Sequence, residues 1–153
     1  MKVLFVCLGN ICRSPTAHAV FRHKAQAAGL QVDIESAGTS ACHEGERPDS
    51  RSMAAGAKRG YDFTRIHSRK IQPDDFEHYD LILAMDKDNA KNLRSKCPAH
   101  LQHKIRLMLT FSSQYNAYEE VPDPYYGGGR GFELVLDLIE DASDGLITYI
   151  EQQ

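Results

Sequence analysis

The sequence predicts an α/β fold: a four-stranded parallel sheet with helices on both faces, in the three-layer, doubly wound arrangement. Two observations carry this. Short apolar runs of strand length alternate along the chain with longer segments at helical spacing. Helix start and stop residues fall at the joins: Ser14-Pro15, Gly29, Gly60 and Pro98.

Lys2–Val6 reads as a buried first strand. A loop from Cys7 to Arg13 follows, and Ser14 and Pro15 suit the N-cap and first position of a helix. Ala17, Val20, Phe21, Ala25 and Ala28 recur on one face of that helix, which Gly29 closes. Val32, Ile34 and Ser36 alternate as a second strand ending before Gly38. A polar loop runs from Thr39 to Asp49. A second helix is expected over Ser50–Lys58, stopped by Gly60, and a short one over Asp74–His78. Tyr79–Met85 reads as the third strand, with Asp86 as N-cap of a helix over Lys87–Lys96 that Pro98 stops. Ile105–Leu109 is the fourth strand. After Pro122, Pro124 and Gly127-Gly128-Gly129, a last helix spans Gly131–Glu151. Its apolar face is Val135, Leu138, Ile139, Ala142, Leu146, Tyr149 and Ile150.

At 153 residues the chain fits a single domain, 1–153, with a full-sized core. Its 42% hydrophobic and 25% charged content is that of a soluble globular protein. There is no apolar run of membrane length and no signal-peptide pattern at the N-terminus, so a cytoplasmic location without a membrane partner is expected. The net charge of −3, with signs interspersed, argues against nucleic acid. The four cysteines, Cys7, Cys12, Cys42 and Cys97, contain no C-x-x-C pair. His100 and His103 lie close but lack an acidic or cysteine partner, so no metal site is expected.

The stretch Cys7-Leu8-Gly9-Asn10-Ile11-Cys12-Arg13-Ser14 joins a strand to a helix. In an open parallel sheet, ligands bind beyond the C-terminal strand ends, which is where this loop lies. Gly9 and Asn10 tolerate the dihedrals that turn successive N–H groups inward. The N–H groups from Leu8 to Ser14 then form an anion site, completed by the Arg13 guanidinium. Cys7 stands over it, where the same groups favour a thiolate. Ser14 has two readings, helix N-cap or hydrogen-bond donor to the Cys7 sulfur, and the sequence does not choose between them. Cys12 is either a packed cysteine or a partner for Cys7 in a reversible disulfide that guards against further oxidation.

The segment Val3 to Pro15 resembles the signature of the low-molecular-weight protein tyrosine phosphatases. The resemblance continues in Ser36-Ala37-Gly38-Thr39, His67-Ser68-Arg69, Met85-Asp86 and Asp123-Pro124-Tyr125-Tyr126, in that order. It implies hydrolysis of phosphotyrosine on proteins or of aryl phosphates, through a cysteinyl-phosphate, with inorganic phosphate as product and no cofactor. Cys7 is then the nucleophile, Arg13 the ligand of the phosphoryl oxygens, and Asp123 the general acid and later the general base. Asn10, Ser14, Ser36 and His67 are implied to hold the loop, Asp86 to steady the arginine or the loop, and Tyr125 and Tyr126 to wall the substrate.

The residues themselves agree about Asp123. It sits between Pro122 and Pro124 in a stiffened segment, and a phenolate leaving group needs a proton donor at neutral pH. The chain departs from the family at Cys42, where a tryptophan or tyrosine is usual. A small residue opens that wall, unless Phe63 or another aromatic fills it. Three alternatives stand beside this reading. Arsenate reductases share the fold but relay oxidation to further cysteines. Protein arginine phosphatases typically carry threonine where Ile11 stands, and a bulky Ile11 favours an aryl phosphate. A silent phosphotyrosine-binding module would not need Cys7, Arg13 and Asp123 together.

Overall fold

Strand β1, Lys2–Cys7, is buried from Val3 onward and forms the centre of the sheet. It pairs in parallel with β2, Asp33–Gly38, on one side and β3, Leu81–Ala84, on the other; β4, Ile105–Leu107, adds to β3. These elements belong to a computed structural model that describes residues 1–125 and 129–153. The strand order is β2-β1-β3-β4, all parallel, so the chain's direction of travel across the sheet reverses between β1 and β3. Cys7 is the last residue of β1, at that reversal.

The alternation of β1 sorts the core into two layers. Val3 and Phe5 pack with Val20 and Phe21 of α1 (Arg13–Ala27), Ala55 of α2 (Ser50–Lys58) and Leu138 and Ile139 of α5 (Gly129–Glu151). Leu4 and Val6 face the opposite layer, with Phe76 of α3 (Pro73–His78) and Ala90 and Leu93 of α4 (Lys87–Lys96). Helices therefore cover both faces, as the alternation of elements predicts.

Several boundaries differ from the sequence reading. α1 begins at Arg13 rather than Pro15; the residue ahead of it is Cys12, which makes no side-chain cap, so Ser14 lies inside the helix and is not its N-cap. Ala28, expected on the buried face, is exposed beyond the helix end. β3 is shorter than expected because Tyr79 still closes α3 through its N–H to the Asp75 carbonyl. β4 ends at Leu107, where Met108–Phe111 turn into a 3-10 helix. That turn packs on α5 at Gly145: a Cβ there would lie 1.9 Å from the Phe111 carbonyl oxygen, so only glycine fits. On α5, Val135, Leu138, Ile139, Ala142 and Leu146 are buried as predicted, and Tyr149 and Ile150 are partly buried.

Candidate functional site

The loop between β1 and α1 wraps around one sulfur. The Asn10 N–H donates to Cys7 Sγ at 3.3 Å, and Ser14 Oγ lies 3.0 Å from the same sulfur. Asn10 has φ of 55°, in the left-handed region that asparagine tolerates. Its side chain is held at both ends. Oδ1 accepts from the Arg69 N–H at 3.0 Å, and Nδ2 donates to Ser14 Oγ at 2.7 Å. Because Ser14 accepts from Asn10, its own proton is directed to the sulfur at 3.0 Å in preference to the Ala37 carbonyl at 3.4 Å. Of the two readings of Ser14, the donor is the one the geometry favours.

The loop is supported from neighbours the sequence only partly indicates. The Gly9 carbonyl accepts from Ser68 Oγ at 3.0 Å. Arg69, whose N–H meets Asn10, is anchored through its guanidinium to both oxygens of Asp75 on α3, at 2.9 and 3.1 Å. The resemblance implies His67 in this role, but its side chain is exposed; Ser68 Oγ and the Arg69 N–H meet the loop instead. Ser36 does not reach the loop either. It is fully buried, and its Oγ lies 3.1 Å from Nδ1 of His18 on α1.

His18 is 5% exposed, and burial together with the nearby Arg22 cation pushes its pKa down to about 3. The unfolded chain takes up a proton near pH 6.5 that the folded chain refuses until about pH 3. Stability therefore falls as pH drops through that window, by at most about 5 kcal/mol. Urea midpoints measured from pH 7 to pH 4 should decline less steeply in His18→Gln than in wild type. Equal slopes would remove His18 as a source of acid sensitivity.

Gly38, at the end of β2, sits directly against the loop. A Cβ there would come within 2.8 Å of the Leu8 carbonyl oxygen and 3.1 Å of the Asn10 nitrogen, both backbone atoms that cannot swing aside. Gly38→Ala should therefore displace the loop, lower kcat/KM by at least about tenfold and destabilise the fold by roughly 1–3 kcal/mol. Activity within twofold of wild type would show that the loop yields. The motif Ser36-Ala37-Gly38-Thr39 marks this position in the sequence; the approach of β1's loop to β2 gives it its reason.

Arg13 is buried, and its Nη1 donates to Asp86 Oδ2 at 2.6 Å and to the Val121 carbonyl at 3.0 Å. Nη2 lies 3.7 Å from Asp123 Oδ2. Burial works against its charge, but the Cys7 sulfur and the Asp86 carboxylate outweigh it and hold the guanidinium above its ordinary pKa. Asp86 fills both expected parts. Its Oδ1 caps α4 by accepting from the Asn89 N–H at 2.7 Å, while Oδ2 takes Arg13.

A cavity of about 130 Å³ opens over the loop, lined by Cys7, Ile11, Arg13, Cys42, Asp123 and Tyr125, among others. Asp123 is 40% exposed along its side chain, and its Oδ1 accepts from the Tyr125 N–H at 3.1 Å. Arg51 of α2 steadies this segment: Nη2 donates to the Tyr125 carbonyl at 3.0 Å, with the guanidinium 5.3 Å from the Tyr125 ring centroid. Tyr126 lies outside the described residues. Cys42 is exposed at the rim, with Sγ 2.9 Å from Ser40 Oγ. Phe63 does not fill the wall beside it, being buried in the core against Gly56. His43 does: it lines the cavity, its ring centroid is 6.2 Å from that of Tyr125, and Glu46 accepts at Nδ1 at 2.7 Å. Its position next to Cys42 was the only signal for it in the sequence.

All four cysteines are unpaired. Cys12 is buried beside Ser52, and burial pushes its thiol up to about 12. Cys97 lies in the opposite core layer, away from the cavity.

The chain matches the family model described as low molecular weight phosphotyrosine protein phosphatase over residues 2–153. A Streptomyces coelicolor protein named low molecular weight protein-tyrosine-phosphatase is 42% identical over 156 residues, covering 99% of this chain and 94% of the relative. The crystal structure of a protein tyrosine phosphatase from Entamoeba histolytica, with Hepes in its active site, superposes with a TM-score of 0.96. It is 46% identical, covering 99% of this chain and 97% of that one. A Drosophila arginine phosphatase also superposes, with a TM-score of 0.90 at 30% identity, covering 98% of each chain.

Proposed function

Because the chain belongs to the low molecular weight phosphotyrosine protein phosphatase family and is a hydrolase of that type, we propose that it hydrolyses phosphotyrosine in two steps on Cys7. The observation that carries this is the convergence of Cys7, Arg13 and Asp123 on one cavity, with Ser14 Oγ 3.0 Å from the sulfur.

The Cys7 thiolate attacks phosphorus in line with the leaving oxygen. Arg13 and the N–H groups from Leu8 to Ser14 hold the equatorial oxygens as charge redistributes. Asp86 keeps the guanidinium in place, and Asn10 and Ser14 hold the loop around the sulfur. Asp123 protonates the departing phenolate, then takes a proton from the water that hydrolyses the cysteinyl-phosphate, releasing inorganic phosphate. The Cys7 sulfur leaves with the Ser14 hydroxyl as its hydrogen-bond donor. Ile11, Cys42, His43 and Tyr125 wall the aryl group.

Cys12 serves as the redox guard. Once a peroxide has converted Cys7 to a sulfenic acid, the Cys12 sulfur displaces water from it and a Cys7–Cys12 disulfide forms, which an external thiol reduces. A reducing, cytoplasmic setting suits an enzyme whose nucleophile is a free thiol.

The arginine phosphatase among the structural neighbours makes phosphoarginine the competing substrate. Ile11 lines the cavity and supports the aryl reading, since its bulk narrows the space for a branched guanidine. A thiol relay to arsenate has only Cys42 near the cavity besides the loop's own cysteines. The test is a side-by-side assay of phosphotyrosine, phosphoarginine and arsenate, with Cys7→Ser as control. Phosphotyrosine should be hydrolysed at least about tenfold more efficiently than phosphoarginine. Faster turnover of phosphoarginine or arsenate would replace the proposed substrate.

A further inference from the structure

Cys7 and Asp123 sit on segments far apart in sequence, and the start of α2 lies between them. Asp49 is the N-cap of that helix, and its N–H donates to the Ile11 carbonyl of the Cys7 loop at 2.7 Å. The bond holds the carbonyl of the Ile11–Cys12 peptide toward α2. Because that peptide is trans, its N–H, on Cys12, points the opposite way. The Asp49 carboxylate caps α2 by accepting from the Arg51 N–H at 2.8 Å. It also takes the Arg51 guanidinium on both oxygens, Oδ1 from Nε at 3.1 Å and Oδ2 from Nη2 at 3.0 Å. Burial works against the Asp49 charge, but the hydrogen bonds from Arg51 outweigh it and hold the carboxyl below its ordinary pKa.

The same Nη2 reaches on to the Tyr125 carbonyl at 3.0 Å, and the Tyr125 N–H donates to Asp123 Oδ1 at 3.1 Å. A continuous path therefore runs from the nucleophile loop to the acid, through Ile11, Asp49, Arg51, Tyr125 and Asp123. An exposed ion pair ordinarily contributes little, because two mobile side chains must be ordered to form it. Here the guanidinium is already ordered. Asp49 grips it at two atoms, and it lies 5.3 Å from the Tyr125 ring centroid and 4.8 Å from that of Phe132 on α5. A planar fork held in this way loses little entropy on making one more bond. Arg51 does not line the cavity over Cys7, so it meets the reaction through the Asp123 segment and not through the phosphate.

We infer that Asp49 and Arg51 are positioning residues for the general acid: they hold the Tyr125 backbone, and with it the Asp123 carboxyl, at a set distance from the Cys7 loop. This rests on the reading of Cys7 as nucleophile and Asp123 as acid. An acid must lie within hydrogen-bond reach of the oxygen it protonates. A displacement of about 1 Å in such a group can cost on the order of a hundredfold in rate.

The test is a double-substitution cycle read with two substrates. Phenyl phosphate has a leaving group that needs a proton, and dinitrophenyl phosphate has one that does not. Arg51→Ala should lower kcat/KM by about tenfold for phenyl phosphate and by less than about twofold for dinitrophenyl phosphate. Inorganic phosphate should still bind within about twofold of its wild-type Kd. Asp49→Asn keeps the helix cap and the N–H to Ile11 but loses the ionised grip on the guanidinium, so it should show the same contrast at about threefold. In the Asp123→Ala background, Arg51→Ala should cost less than about a further twofold on phenyl phosphate, because no acid is left to position. A merely structural role predicts losses that multiply in the double variant and fall equally on both substrates. Either outcome overturns the proposal, as do wild-type rates for Arg51→Ala on both. If Arg51→Ala does not fold, Asp49→Asn in the same cycle decides between the same outcomes. A wild type that turned over neither substrate would instead defeat the phosphatase reading, and the positioning role with it.

Discussion

Cys7→Ser should lower kcat for aryl phosphates by at least about four orders of magnitude while inorganic phosphate still binds within about tenfold of its wild-type Kd. The asymmetry follows from the division of labour in the loop. The serine hydroxyl is not ionised at neutral pH, so the nucleophile is lost. The proposed anion site consists of backbone N–H groups and Arg13, whose partners Asp86 and Val121 are untouched by the change. Stopped-assay turnover and phosphate titration by calorimetry measure the two halves separately. Persistent turnover would remove Cys7 as the nucleophile. Loss of both turnover and binding would mean that the sulfur holds the loop in shape as well, through its contacts with Asn10 and Ser14.

Asp123→Ala should slow hydrolysis by about 10²–10³ for phenyl phosphate, whose leaving group needs a proton, and by less than about tenfold for an aryl phosphate with a strongly acidic phenol. The contrast isolates proton donation from every other role of the loop. If both substrates lost activity equally, Asp123 would not be the acid. Its 3.7 Å separation from Arg13 would then be its main contribution. Folding should be little affected, because the side chain is 40% exposed and, among the described residues, its one backbone hydrogen bond is from Tyr125, two residues away.

Much of this was legible in the sequence because it is local. The strand-loop-helix order around Cys7 follows from an apolar run, two permissive residues and a helix start, all within fifteen positions. The two core layers follow from alternation along β1. Asp86 was readable as an N-cap because a cap depends on its own next three residues. The contacts that local sequence does not determine come from far along the chain. His67 was exchanged for Ser68 and Arg69, because only the crossing of that segment over the Cys7 loop determines which side chains face it. Ser36 was drawn to His18 because α1 packs across β2 there.

The sequence by itself determined which chemistry-bearing residues come together locally: a thiol and an arginine on one strand-to-helix turn, and an aspartate between prolines, the residues of the proposed phosphatase mechanism. Local spacing suffices to place the thiol and the arginine together on one turn, although distant segments then brace the loop. The tertiary structure alone decided what surrounds the turn. It set Gly38 against the loop where no side chain fits and brought His43 to the wall that Cys42 leaves open. Those residues belong to segments whose separation in sequence carries no information about distance. Close packing of the helices and loops onto one sheet fixes it, and with it the shape and charge of the space around Cys7.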